Sequence, residues 1–252
     1  MLIFLDVETT GLEAQDKICS IGLVAVDGDK VVAKYDLVNE GKKISSKASS
    51  INHITNEMLV NKQKVVESEA YKFLLDHNDE TTTLIAHNIK FDLKMLLACG
   101  FNYRGQVIDT LRVTKHLIPE CEGFSLGFLR YELKFYRSEK RELSAFAVSD
   151  SEEVLLGYGL KEAITPHNAL SDAVVVKLLY EYLLDMASKE EMYELSRQNV
   201  LMQKLSFGKY AGQYIEEISM HDPSYLQWML ANVLDLDEDL RYSINYFLQG
   251  RV

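Results

Sequence analysis

Four carboxylates and one histidine fall in three short stretches, and their types and spacing suit one kind of chemistry. Asp6 and Glu8 lie in FLDVETTG, Asp92 in AHNIKFDLKML, and His167 with Asp172 in HNALSDA. Each stretch adjoins an apolar run that a fold can bury, and carboxylates are seldom buried unless they are paired or bind a metal. A converging pair at about 4 Å repels by roughly 4 kcal/mol at an effective dielectric of 20. Such a cluster requires protons or cations, and the cations that prefer oxygen ligands are Mg²⁺ and Mn²⁺.

The elements that must position these groups are legible as an α/β pattern. Residues 2–6 read as a buried strand, 18–28 as a second and 30–38 as a third, with the Asp-Gly pair at 27–28 marking a hairpin turn. The polar segment 41–62 reads as loop with short helical turns, and 65–78 has helical periodicity. A short strand at 82–88 runs into the helix IKFDLKMLLAC, which Gly100 closes, and a strand at 106–111 runs into another helix. Residues 135–165 are less regular and charged; helices follow at about 168–186 and 189–199. This order predicts a mixed β-sheet flanked by helices. Asp6 and Glu8, two apart on a strand, share a face. Asp92 and Asp172 fall in first helical turns, where the helix dipole favours a carboxylate. The reading brings all five groups together over one face of the sheet.

Composition changes near 200–204, which divides the chain into residues 1–202 and 203–252. The stretch 205–218 is aromatic and punctuated by glycines, like a small hairpin, and DPSYLQWMLAN and DEDLRYSINYFLQG read as two short helices. Phe207, Tyr210, Tyr214, Tyr225 and Trp228 either stack on bases or, the preferred reading, form the core of a small α+β module. Lys204, Lys209 and Arg241 are too few to make a basic groove.

The whole chain has 252 residues, 47% of them hydrophobic, enough for one sizeable core and a small second unit. Its 27 basic and 38 acidic residues give a net charge of −11, which excludes a strongly basic patch protein and argues against tight, non-specific, salt-driven duplex binding as the main activity. A metal-loaded acidic site can still supply local positive charge to a nucleic acid. Cys19, Cys99 and Cys121 show no CxxC spacing, so reduced thiols in a cytoplasmic protein are expected. MLIFLDVE lacks the basic start of a signal peptide, and no apolar run is long enough to span a bilayer, so no membrane role is expected.

Taken singly, DxE, HNxxFD and HxxxxD are commonplace; their order and combination are not. The chain resembles the DEDDh exonuclease family of the ribonuclease H-like superfamily, whose four acids and histidine match at Asp6, Glu8, Asp92, Asp172 and His167. INHITNEML, with His53, resembles the family's H-x-I-T segment, and IDTLRVTKHLIP its D-T-L…L-P segment. The likeness spans about residues 2–186, and LSFGKYAGQYIEEISMHDPSYLQWML is similar to the C-terminal module of the family's exodeoxyribonuclease X branch. The stretch between FSLGFL and His167 is longer than the family's usual connection, and an added hairpin or loop is expected there.

The resemblance implies a ribonuclease H-like fold and metal-assisted 3′→5′ hydrolysis of a phosphodiester. Two divalent ions, Mg²⁺ or Mn²⁺ and about 3.5–4 Å apart, would clamp the attacking and leaving oxygens. Asp6 would bridge both ions, Glu8 and Asp172 would complete the first, and Asp92 would help hold the second. His167 would be the general base, a task suited to an imidazole of unperturbed pKa about 6.5. Thr9, by the terminal 3′-OH, and Leu12, His53 and Asn88 would grip the terminal nucleotide. The implied substrate is DNA with a free 3′ end, degraded to nucleoside 5′-monophosphates in repair or proofreading, with a repair or polymerase partner. The same fold also serves RNA 3′→5′ exonucleases, which is the alternative. An inactive nucleic-acid-binding scaffold would lack one of the five groups, and all five are present. A metal phosphatase acting on small nucleotides is the remaining reading. No oligomeric state follows from the sequence.

Overall fold

The structure, a computed structural model, describes residues 1–146 and 168–250. Three strands open the chain: β1 (Leu2–Thr9), β2 (Ile18–Asp27) and β3 (Lys30–Leu37). They form the expected antiparallel meander, with Asp27 paired to Lys30 across a two-residue turn in which Gly28 has φ 58°. That left-handed conformation is the reason glycine stands there. Two short strands, β4 (Thr83–Ala86) and β5 (Gln106–Asp109), add in parallel to give the order β3-β2-β1-β4-β5. The sheet is therefore mixed, with β1 at its centre.

Alternation along β1 builds a core on each face. Ile3, Leu5 and Val7 join Ile21, Leu23 and Ala25 beneath α2 (Glu69–Asp76) and α3 (Ile89–Ala98). On the other face Phe4, Val24, Ile85 and Ile108 pack against α4 (Thr110–Leu117), α5 (Leu126–Glu132), α6 (Tyr136–Phe146), α7 (Ala169–Leu183) and α8 (Lys189–Leu195). A third, smaller cluster of Cys19, Leu37, Ile44, Ala48, Ile54 and Leu59 fixes the loop around α1 (Ser46–Asn52).

One expectation is corrected in this part of the chain. Residues 136–146 are a helix rather than irregular, and residues 126–132 form another just before it. The helix α6 is held by a buried pair, Arg130 Nε to Glu139 Oε2 at 2.8 Å, and by Ser171 Oγ donating to Glu139 Oε1. The hairpin or loop expected before His167 lies outside the described residues beyond 146, as does His167 itself.

The C-terminal residues have a separate core of Leu205, Ile215, Ile218, Leu226, Met229, Leu236, Leu240 and Ile244. It lies among α9 (Ile215–His221), α10 (Pro223–Asn232) and α11 (Glu238–Gln249). The expected hairpin is reduced to one antiparallel bridge, Lys204 to Tyr214, and its second half is helical. The core is aliphatic rather than aromatic: Tyr210 and Tyr225 pack at its edge, while Phe207, Tyr214 and Trp228 are exposed.

Candidate active site

The site forms where the strands run out of partners. β1 continues to Thr9, but its pairing with β4 ends at Phe4 opposite Ile85, so the edge of β1 beyond Phe4 is open on that side. Asp6 and Glu8 project from this stretch, on the face covered by α7. Asp6 sits opposite Gly22 in the β1–β2 register, and α7 crosses directly over that glycine. A Cβ at Gly22 would lie 2.2 Å from the Leu170 nitrogen and 2.3 Å from the Ala169 carbonyl carbon. Only glycine allows the helix this close, and the closeness brings Asp172, in the first turn of α7, to Asp6 and Glu8. Asn168 caps α7, its side chain accepting from the Leu170 and Ser171 amides at 3.2 Å each.

Asp6, Glu8 and Asp172 each offer a carboxylate oxygen within 4.8 Å of the others, and all three are half-buried. Asp92 joins them by a different route from the one expected. Its helix, α3, packs on the opposite face of the sheet, and its carboxylate reaches around the open edge of β1. There Asp92 Oδ1 accepts from the Val7 amide at 3.2 Å, satisfying a donor that β4 does not reach. Asp6, Glu8 and Asp172 thus converge on one face, and Asp92 approaches Asp6 from the other side of the strand edge rather than over the same face.

Their electrostatics follow from that crowding. Burial first, and then repulsion from Asp172, Asp92 and Glu8, holds the Asp6 carboxyl well above the usual carboxylate range. Burial and Asp172 push Glu8 up to about 8, against a hydrogen bond from Asn52 that favours its charged form. Burial also pushes Asp92 to about 8, opposed by the amides of Asp92 and Val7, with Asp109 adding repulsion. Carboxyls raised in this way hold protons more readily in the metal-free protein and gain from a cation that replaces them. The donors are all oxygen, which suits a hard divalent ion and not a structural zinc.

The expected substrate-binding residues divide. Thr9 and Leu12 line a cleft of about 370 Å³ that begins at Glu8; Thr9 is buried, its hydroxyl donating to the Gly11 carbonyl at 2.6 Å, and Leu12 is 79% exposed. His53 and Asn88 lie outside that lining, and both have left-handed backbones, φ 60° and 67°. His53 ends α1, and Asn88 precedes α3, its amide donating to Asp109 Oδ1 at 3.0 Å.

Several supporting groups lie outside the expected set of site residues. Asn52 donates to the Thr9 carbonyl at 3.2 Å and accepts from the Ile54 amide at 3.1 Å, tying the segment around His53 to the end of β1. Asp109 caps α4 while holding Asn88. His87 bridges Thr110 Oγ1 at 3.1 Å and the Phe124 carbonyl at 2.7 Å, and burial depresses it to about 4, so it is neutral. Asp109 is the first residue of the D-T-L segment, whereas Asn52 and His87 carry no signal beyond adjacency: Asn52 precedes His53, and His87 precedes Asn88.

An open strand edge that gathers acids, on a mixed five-stranded sheet flanked by helices, suits the hydrolysis of phosphodiesters with bound cations. Residues 3–180 match the Exonuclease family, and the chain belongs to it. Residues 205–233 match the exodeoxyribonuclease X-like C-terminal family, so its likeness within the DEDDh exonucleases is to exodeoxyribonuclease X. It is 25% identical over 253 residues to exodeoxyribonuclease 10 of Escherichia coli strain K12, covering 99% of this chain and 100% of that one. It is 40% identical over 138 residues to DNA polymerase III subunit epsilon of Treponema pallidum strain Nichols, covering 51% of this chain and 60% of that one. Its fold is similar to that of exonuclease X in complex with 5′ overhanging duplex DNA, with a TM-score of 0.54 at 23% identity, covering 78% of this chain and 99% of that one.

Proposed function

We propose that this chain removes nucleotides from the 3′ ends of DNA, with Asp6, Glu8, Asp92 and Asp172 holding two Mg²⁺ or Mn²⁺ ions and His167 acting as general base. The observation that carries the reading is the cluster of Asp6, Glu8 and Asp172 oxygens within 4.8 Å, in a chain of the Exonuclease family. DNA is favoured because exodeoxyribonuclease 10 aligns over its whole length and a DNA complex shares the fold. Bound divalent ions would polarise the phosphoryl oxygens and lower the pKa of water.

The chain's own residues do the rest. Glu8 ends the cleft that the terminal nucleotide enters, with Thr9 and Leu12 along its wall. His167 precedes in sequence Asn168, the cap of the helix that carries Asp172. It takes a proton from the attacking water. The bond between phosphorus and the 3′ oxygen of the preceding nucleotide breaks, leaving a shortened strand and a nucleoside 5′-monophosphate. Repair or proofreading of 3′ ends is the process that uses this chemistry. The division into residues 1–202 as catalytic unit and 203–252 as accessory module is supported by their separate cores. Among the described residues no helix is long and apolar enough to cross a membrane.

Asp6→Ala and Asp172→Ala are each expected to abolish hydrolysis of a DNA strand in Mg²⁺. His167→Ala should lower the rate by about a hundredfold or more while metal binding, read by calorimetry, persists. Retained turnover in either aspartate variant overturns the metal assignment, and an unchanged rate in the histidine variant overturns the base.

A further inference from the structure

The cleft beside Glu8 has a feature that catalysis does not use. Lys42, Lys43 and Lys47 line it, in a chain whose net charge is −11. Lys42 is committed: its Nζ lies 2.6 Å from Asp16 Oδ1, which also accepts from Thr10 Oγ1 at 2.7 Å, while Asp16 Oδ2 accepts from the Glu13 amide. This network secures the loop that carries Leu12. Lys43, just before α1, and Lys47, in its first turn, are both exposed and have no ion pair among the described residues. Glu8 and Glu13 share the lining of the cleft, as do two exposed aliphatic side chains, Leu12 and Ile51.

We infer that Lys43 and Lys47 are a backbone-phosphate site, each holding one phosphate of the strand whose 3′ end lies at Glu8. The inference rests on the exonuclease reading and deepens it. A polyanion approaching an acidic chain needs local neutralisation, and beyond the metal site cations lining the approach supply it at short range. Lysine suits this task as a point charge on a flexible stem that carries no base preference. The aliphatic side chains offer contact to the sugar and base between the phosphates. Lys42 contributes no third contact because Asp16 already neutralises it.

Each lysine–phosphate contact on a single strand releases about 0.7 counterion, so removing both should reduce the slope of log affinity against log salt by about 1.4. The test is anisotropy binding of a fluorescein-labelled oligothymidylate in Ca²⁺ between 50 and 200 mM KCl. It compares wild type, Lys43→Gln/Lys47→Gln, and Lys30→Gln/Lys72→Gln, which removes the same charge outside the cleft. The expected result is a shallower slope for the cleft pair alone, so that its deficit relative to wild type shrinks by about sevenfold over that salt range. Equal slopes in all three proteins, or equal losses in both double variants, overturn the proposal. Hydrolysis of the same strand in Mg²⁺ by the wild type reports separately on the exonuclease reading.

Discussion

At the scale of single residues, the acid cluster is a cost to the metal-free fold. Glu8 has its carboxyl raised from the ordinary 4.5 to about 8, and Asp6 lies well above its usual range. The sign follows from proton uptake. Below about 4.5 both folded and unfolded Glu8 are protonated, so its penalty is absent. As pH rises toward 8 the unfolded carboxyl ionises freely while the folded one resists, and stability falls through that window. Glu8→Gln is therefore expected to raise the melting temperature of the metal-free protein at pH 8, with little change at pH 5. Mg²⁺ held by this cluster would bind the folded state alone and is expected to raise the wild-type melting temperature, more at pH 8 than at pH 6. Glu8→Gln should blunt that rise. Calorimetric melts at the three pH values check this, and a melting temperature lowered by Glu8→Gln at pH 8 contradicts it.

The acids themselves were legible because chemistry restricts which residue types can serve, and the strand and helix signals around them were short and clear. Asn52 was not, because an asparagine before a loop histidine has no distinctive spacing. Its role arises from a contact with the end of β1, distant in sequence.

At the scale of elements, Gly22 sets the distance between α7 and the sheet. Nothing in ICSIGLVAV separates it from an ordinary weak point in a strand; its necessity appears only when the helix is laid over it. Gly22→Ala places a methyl 2.2 Å from the Leu170 nitrogen, so α7 must move or the strand must bend. Overpacking of this kind costs about 1–3 kcal/mol, with backbone on the far side leaving little room to relax. The expected outcome is a lower melting temperature together with weaker Mg²⁺ affinity, because Asp172 moves away from Asp6. Loss of stability with Mg²⁺ affinity intact would separate the helix position from the site.

The placement of Asp92 makes a related point. Period-two and first-turn arguments identify which acids are near strand ends and helix starts, but not on which side of the sheet a helix lies. The short β4 decides that, by leaving the Val7 amide for Asp92 to satisfy.

At the scale of the whole molecule, the C-terminal helices are fastened to the catalytic end of the sheet. Arg112 of α4 makes a bidentate pair with Asp239 of α11, at 2.9 and 3.0 Å, and both side chains are nearly buried. Asp239 also accepts from the Val200 amide, and Ser243 accepts from the Met202 amide at 2.7 Å. Lys90, two residues before Asp92, lies 3.7 Å from Glu238. Arg112→Met leaves Asp239 without its charge partner, a loss of about 3–5 kcal/mol for a buried pair. The expected effect is a lower melting temperature and faster proteolysis between residues 196 and 204. An unchanged cleavage rate would mean that the aliphatic contacts alone hold these helices.

The central claim is metal-dependent shortening of DNA from its 3′ end, and one time course tests it most directly. A 5′-labelled single-stranded DNA is incubated with the protein in Mg²⁺, in Mg²⁺ with excess chelator, and beside an RNA of the same sequence. The predicted result is a ladder that shortens from the 3′ end in Mg²⁺ alone, with DNA consumed faster than RNA. Internal cleavage, shortening that survives the chelator, or an intact DNA strand would contradict the account.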